Sequence, residues 1–197
     1  HGIFSATDYS SQGDWRQVAS QYGNFDHTAY SFDAFYQSLN GDRVNNDLDQ
    51  LGLAVRVKQD LTAQDSLFFQ LSYYDGTSGD VAQYYNQASA SSTVRVREKQ
   101  LPNLLLGYHR EWSPGNHTLF LAGRFDDTLE IADSDFRPLW QRTRLLPPLF
   151  EPPPRVDVRN ALFRELDYKS KLEAYSSELQ QIWQTPRQTL VAGFRLQ

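Results

Sequence analysis

Three residues in the stretch Y-H-R-E-W-S, His109, Glu111 and Ser113, carry the groups a hydrolase needs and sit two apart. An imidazole held near a carboxylate can strip the proton from a hydroxyl and make it a nucleophile. No Gly-x-Ser-x-Gly elbow presents the hydroxyl, and no Asp at a supporting spacing completes a triad. The other histidines, His1, His27 and His117, do not add an i, i+4 pair of the kind that grips a metal on a helix. Acidic residues offer a second chemistry. Asp42, Asp47 and Asp49 form one group, and Asp126, Asp127, Asp133 and Asp135 another. Loop carboxylates suit Ca²⁺, a hard cation that prefers oxygen. Neither group follows the twelve-residue calcium loop, so solvated loops are the expectation and no cofactor is assigned. The chain has no Cys, which excludes thiolate metal sites, a Cys nucleophile and disulfides.

Residues spaced by two act together only on a strand, and the surrounding sequence alternates with that period. In 51–61, Leu51, Leu53, Val55, Val57 and Leu61 fall on one face, with Gly52, Ala54, Arg56, Lys58 and Asp60 on the other. Leu67, Phe69, Leu71 and Tyr73 oppose Phe68, Gln70, Ser72 and Tyr74. Leu104, Leu106 and Tyr108 oppose Asn103, Gly107, His109 and Glu111. In 118–127, Leu119, Leu121 and Phe125 oppose Arg124 and Asp126, and in 189–196 Leu190, Ala192, Phe194 and Leu196 oppose Thr189, Gly193 and Arg195. Two less regular runs, 29–39 and 166–183, bring the expected total to about seven antiparallel strands. Residues 1–28 are left without an assigned structure; 14–23 fits a strand, a helix or a loop.

The connections alternate in length. Short breaks at 62–66, 113–117 and 185–188 separate long polar segments at 40–48, 75–95 and 130–165. In an up-and-down meander, successive connections lie at opposite ends, so all the short turns gather at one end and all the long loops at the other. Such asymmetry, with strands of about ten residues, is the pattern of a transmembrane barrel with short periplasmic turns and long extracellular loops. Trp112 and Trp183 each precede a short turn and share a face with apolar residues, as aromatic residues of a membrane-interface girdle do. Arg110 lies beside Trp112 on that face, where its stem could snorkel. The net charge of −5 gives no sign of a nucleic-acid partner, and no apolar run is long enough for a membrane-spanning helix.

The stretches N-N-D-L-D-Q-L (45–51), G-Y-H-R-E-W-S-P-G-N-H-T-L-F-L (107–121) and S-S-E-L-Q-Q-I-W-Q (176–184) resemble the barrel portion of bacterial outer-membrane proteins, porin-like or TonB-dependent-receptor-like. The likeness lies in strand and turn style over about 29–197. It implies an all-β, antiparallel, up-and-down barrel in a bacterial outer membrane. The implied role is channel or transporter for a solute, with no chemistry. Its implied partners are outer-membrane lipid, lipopolysaccharide and other subunits of an envelope complex. The C-terminal G-F-R-L-Q lacks the terminal aromatic strand end usual in such barrels, and His1 stands where a Met would start a chain. The expectation for 29–197 is therefore an incomplete barrel, a fragment of a bigger one, with a small eight-stranded barrel or a protomer sharing a barrel with its neighbours as the alternatives.

On this reading Arg56, Lys58, Asp60, His109 and Glu111 line the lumen, joined by Arg124, Asp126, Glu178 and Arg195. Tyr108, Trp112, Tyr175 and Trp183 form the interface girdle. Mixed charge in that lumen argues against strong ion selectivity. Two other readings compete: a soluble secreted β-sandwich binding carbohydrate through aromatic loops that include Tyr84 and Tyr85, and a barrel hydrolase using His109. The proline-rich segment L-L-P-P-L-F-E-P-P-P (145–154) is read as a stiff external loop whose Leu145, Leu146, Leu149 and Phe150 pack on something.

Overall fold

The computed structural model describes residues 1–136 and 164–197; the proline-rich segment 145–154 lies outside them. The described chain is all β, apart from one 3₁₀ turn at Gln87–Ser89. Nine strands follow one another: β1 (Gly2–Tyr9), β2 (Trp15–Phe25), β3 (Thr28–Leu39), β4 (Leu48–Asp60), β5 (Asp65–Ser78), β6 (Arg95–Ser113), β7 (Asn116–Phe136), β8 (Arg164–Thr185) and β9 (Gln188–Leu196). They form one antiparallel sheet in the order β1-β2-β3-β4-β5-β6-β7-β8-β9, each strand touching only its sequence neighbours. Seven of these coincide with the expected strands. The two additional strands occupy 1–28, where Gln17, Ala19, Gln21 and Gly23 dilute the apolar side of the alternation and hide it.

Turn chemistry sets the register. Pro114 and Gly115 join β6 to β7, and Gly115 has φ +79°, the conformation a type II turn requires of its third residue. A Cβ there would also lie 2.4 Å from the Gln184 carbonyl oxygen, so the neighbouring hairpin excludes one. Gln184 N–H donates to the Gly115 carbonyl at 2.6 Å and ties the two short turns together. Asp26 turns β2 into β3 at φ +42°, and the Thr185 hydroxyl bonds across the β8–β9 turn.

Short turns at 26–27, 61–64, 114–115 and 186–187 lie at one end, and the connections at 40–47 and 79–94 lie at the other. The long loops are bound to one another. Arg43 donates to the carbonyls of Asp80 (2.7 Å) and Ala82 (2.8 Å) and faces the Asp80 carboxylate at 3.5 Å. Asn45 Nδ2 donates to the carbonyls of Ser91 and Val94, and Asn46 Nδ2 to that of Asp80. Thr93 and Ser91 hydroxyls then reach Asp133 at the far end of β7.

A single sheet has two faces to cover, and here the described residues cover neither. Among the described residues no hydrophobic side chain is buried, while Phe32, Phe69, Leu106, Trp112 and Trp183 stand exposed. Burial of apolar surface is the main force holding a domain together, at roughly 25 cal/mol per Å².

Candidate functional site: an aromatic band and a polar face

Paired residues of neighbouring strands point the same way, so the register assigns every side chain to one of two faces. One face is apolar. It carries Leu51, Leu53, Val55 and Val57 of β4, with Leu67, Phe69, Leu71 and Tyr73 of β5 beside them. Leu104, Leu106 and Tyr108 of β6 continue it through Phe120 and Ala122 of β7 to Leu179 of β8 and Phe194 of β9.

Aromatic residues mark both edges of this band. Toward the long loops they are Trp15 on β2, Tyr36 on β3, Tyr73 on β5 and Tyr175 on β8; toward the short turns, Phe25 on β2, Trp112 on β6 and Trp183 on β8. The row of paired residues through Tyr175 runs Arg124, Leu104, Leu71, Val55, Phe32, Gln21. On β2 that row is six residues short of Trp15 (21 − 15). The row through Phe25 runs Thr28, Gln59, Leu67, Tyr108, Phe120, Leu179, so Trp183 lies four residues past it (183 − 179). Both edges slip the same way across six strand-to-strand steps. At about 3.3 Å per residue and about 4.8 Å per strand, that is roughly 13–20 Å over about 29 Å, a slant of about 25–35°. The strands thus cross the band at an angle close to the strand tilt of a closed barrel, about 35–45°. Measured across the slant, the span from Tyr175 to Trp183 is roughly 23 Å and that from Trp15 to Phe25 roughly 29 Å, against about 25 Å for the apolar belt of an outer-membrane barrel.

Beyond the Tyr175 edge the same face becomes charged. Glu173, Lys171 and Lys169 follow on β8, Thr128 and Glu130 on β7, and Lys99, Arg97 and Arg95 on β6. Here ion pairs replace apolar contacts: Arg97–Asp75 at 3.6 Å, Arg95–Asp47 at 2.5 Å and Lys169–Glu130 at 2.5 Å. β6, β7 and β8, at 19, 21 and 22 residues, are each about twice the length that crosses a bilayer.

Of the expected girdle, Tyr108, Trp112 and Trp183 sit at the short-turn edge, and Tyr175 sits at the opposite one. Arg110 lies 4.3 Å over the Trp112 ring and holds both Asp65 oxygens at 3.0 and 3.2 Å, while the Tyr108 hydroxyl donates to Asp65 at 2.6 Å. Trp112 Nε1 donates to Thr118. Trp15, Tyr36 and Phe25 escaped the sequence reading because their strands alternate weakly.

The other face carries the charged and amide side chains, interleaved with Phe35, Phe68, Leu105, Leu119 and Leu121. Arg56, Lys58 and Asp60 of β4, His109 and Glu111 of β6, Glu178 of β8 and Arg195 of β9 share this face by register. Arg124 and Asp126 do not join them. Arg124 pairs with Leu104 and Tyr175, on the apolar face at the band's edge, and Asp126 follows two residues on. The reason is that β7 is apolar on both sides, Leu119 and Leu121 on one and Phe120 and Ala122 on the other, so alternation alone does not fix its phase. The Ser113–Asn116 closure does. Arg124 bonds Asp126 at 2.9 Å and Glu173 at 3.2 Å, leaving Asp126 almost wholly buried at the edge.

Across the polar face Asp33 accepts from Ser20 (2.6 Å), Ser31 (3.0 Å) and Arg56 (2.7 Å), and Arg56 also donates to Gln70. Lys58 pairs with Asp60 at 3.1 Å. His109 Nε2 lies 3.0 Å from His117 Nδ1, so His109 partners His117 and not Ser113. In the loops, burial alone would raise the Asp80 carboxyl. The Ser91 N–H, the Tyr84 hydroxyl, the Ala82 N–H and the Arg43 charge outweigh it and hold that carboxyl below the usual value of 3.8. Tyr84 is pushed up in turn, first by its bond to Asp80. Among the described residues no three His, Asp or Glu side chains converge on one cation position; Asp47, Asp126 and Asp133 are each taken up by the partners named above.

No family model matches the chain, and no curated protein matches it.

Proposed function

We propose that the chain forms wall of a transmembrane β-barrel in a bacterial outer membrane, with the apolar face in lipid and the polar face toward an aqueous interior. The short turns are periplasmic and the bound-together long loops extracellular. The barrel passes a solute, by uptake or export, and performs no chemistry. One observation carries the reading: the aromatic band slants through the hydrogen-bond register on a sheet in which, among the described residues, no apolar side chain is buried. A water-exposed sheet gains nothing from such a slant, whereas tilted strands in a flat bilayer require it. The charged stretch beyond Tyr175 supports contact with the phosphate-bearing headgroups of lipopolysaccharide, through Lys99 and Lys171. The mixed Asp33, Arg56, Lys58 and Asp60 side chains support weak ion selectivity.

The test is refolding of the chain from urea into phospholipid vesicles, followed by an SDS gel run with and without boiling. Flotation with the vesicles and a band that shifts on boiling are expected. A protein that stays in the aqueous fraction with no shift rejects the proposal.

A further inference from the structure

We infer that Lys99, Thr128 and Lys171, beyond the Tyr175 edge of the apolar face, clamp one phosphate group carried on the sugar headgroup of a glycolipid of the lipopolysaccharide type. The inference rests on the barrel reading and narrows its lipid partner to one chemical group. The three residues are level: Thr128 of β7 pairs with Lys99 of β6 on one side and with Lys171 of β8 on the other. Paired residues point the same way, so both ammonium groups and the hydroxyl rise from one face. Two strand spacings of about 4.8 Å set the lysine Cα atoms about 9.6 Å apart. Their flexible stems need only lean toward Thr128 for the two ammonium groups to reach different oxygens of one phosphate, at about 2.7–2.9 Å. β7 is paired on both sides here, so the backbone ladder fixes the width of the clamp.

The carboxylates around the clamp are already engaged. Asp75, level with Lys99 on β5, is held by Arg97 at 3.6 Å and by the Tyr73 hydroxyl at 3.3 Å. Glu130 is held by Lys169, and Arg124 takes Asp126 at 2.9 Å and Glu173 at 3.2 Å. Among the described residues Lys99 and Lys171 have no ion pair, and the Thr128 hydroxyl has no hydrogen bond. Two cations and a donor are thus left over at one level, which suits an anion from outside the chain. Depth selects the carrier of that anion. Lys171 lies four residues beyond Tyr175 on β8 (175 − 171), roughly 11 Å outside the aromatic edge on strands tilted by about 30°. The headgroup layer of a phospholipid leaflet is only about 5–8 Å deep. A phosphate at the height of the clamp therefore sits on a larger headgroup, and a phosphorylated sugar reaches it.

The experiment is titration of the full chain, folded in uncharged detergent micelles, with fluorescently labelled lipopolysaccharide, read by anisotropy. Competitors are unlabelled lipopolysaccharide, the same lipopolysaccharide dephosphorylated, phosphatidylglycerol and inorganic phosphate. Saturable binding is expected, displaced by the first competitor and not by the other three. Lys99→Gln or Lys171→Gln should weaken it about fivefold and the two together about 25-fold, while the double Lys→Arg change stays within about threefold. Arg187→Gln, at the short-turn end, should leave it unchanged. Displacement by dephosphorylated lipopolysaccharide, by phosphatidylglycerol or by inorganic phosphate, or binding that survives the double Gln change, overturns the inference. The unboiled gel separates this result from the barrel reading. A shifted wild-type band with no saturable binding overturns the clamp and leaves the barrel standing, whereas a wild type with no shifted band overturns both. Should the double Gln variant lose the shift, the wild-type competition with dephosphorylated lipopolysaccharide decides.

Discussion

An arginine at Val55 should be ruinous in a bilayer and harmless one residue away. Val55 lies on the apolar face of β4, four residues from Gln59 and six from Asp49, the polar residues that bound the band on this strand. Along a strand tilted by about 30°, those separations put Val55 roughly 11 Å and roughly 17 Å from the two edges, near the midplane. Arg on the lipid face at the midplane costs about 2–4 kcal/mol, and the lost valine burial adds roughly 1.5 kcal/mol. The sum, about 3.5–5.5 kcal/mol, corresponds to a folding constant lower by about three orders of magnitude. Ala54→Arg, on the polar face beside Asp33, should stay within about 1 kcal/mol of the wild type. Gln59→Arg, at the edge, should cost about 0–1 kcal/mol.

The assay is urea titration of folding in phospholipid vesicles, followed by tryptophan fluorescence and the unboiled gel. Its strength is that three arginines enter one strand and differ only in face and depth. Equal effects at 54 and 55 would refute the assignment of faces. A large penalty at 54 with none at 55 would invert it. A large penalty at Gln59 equal to that at Val55 would refute the slanted band as a membrane boundary.

Three further outcomes follow from the same geometry. Trp112 and Trp183 should be quenched by lipids brominated near the headgroup more than by those brominated at mid-chain, and Trp112→Phe should remove only part of the signal; stronger mid-chain quenching would contradict an interface position. The Asp80 carboxyl is held below 3.8, so its contribution to loop order is complete above that value and lost only as pH falls through the lowered one. Proteolysis within 79–94 should accordingly be constant from pH 7 to about pH 5 and accelerate below about pH 4, and Asp80→Asn should abolish that acid step. Gly41 has φ +73° and its added Cβ would lie 2.1 Å from the Asn46 carbonyl oxygen, whereas one on Gly52 meets nothing closer than 3.9 Å. Gly41→Ala should loosen the loops by about 1–3 kcal/mol, and Gly52→Ala should be neutral or stabilising by up to about 1 kcal/mol, both measured by protease susceptibility and denaturant midpoint.

What could be read without coordinates depended on how clean each strand's alternation was. In 51–61 the Leu–Val side is unbroken, so face and strand were both legible, and Arg56, Lys58 and Asp60 came out on the polar side. Gln17, Ala19, Gln21 and Gly23 sit on the apolar face between Trp15 and Phe25, and small or amide side chains there erase the period that would have declared β2. β7 fails differently, since leucines on one face and Phe120 on the other leave two phases equally plausible. The hairpin closure at Pro114–Gly115 chose between them and moved Arg124 and Asp126 to the band's edge. His117 could not be matched with His109 because their contact is diagonal, Glu111 being the true opposite of His117. The slant is illegible in a deeper sense. Each strand states only where its own aromatics lie. The displacement of six residues between Trp15 and the row of Tyr175 exists only once six successive pairings fix which residues are level. Register is thus the quantity that converts a list of aromatic positions into a plane, and a plane inclined to the strands is what a bilayer selects.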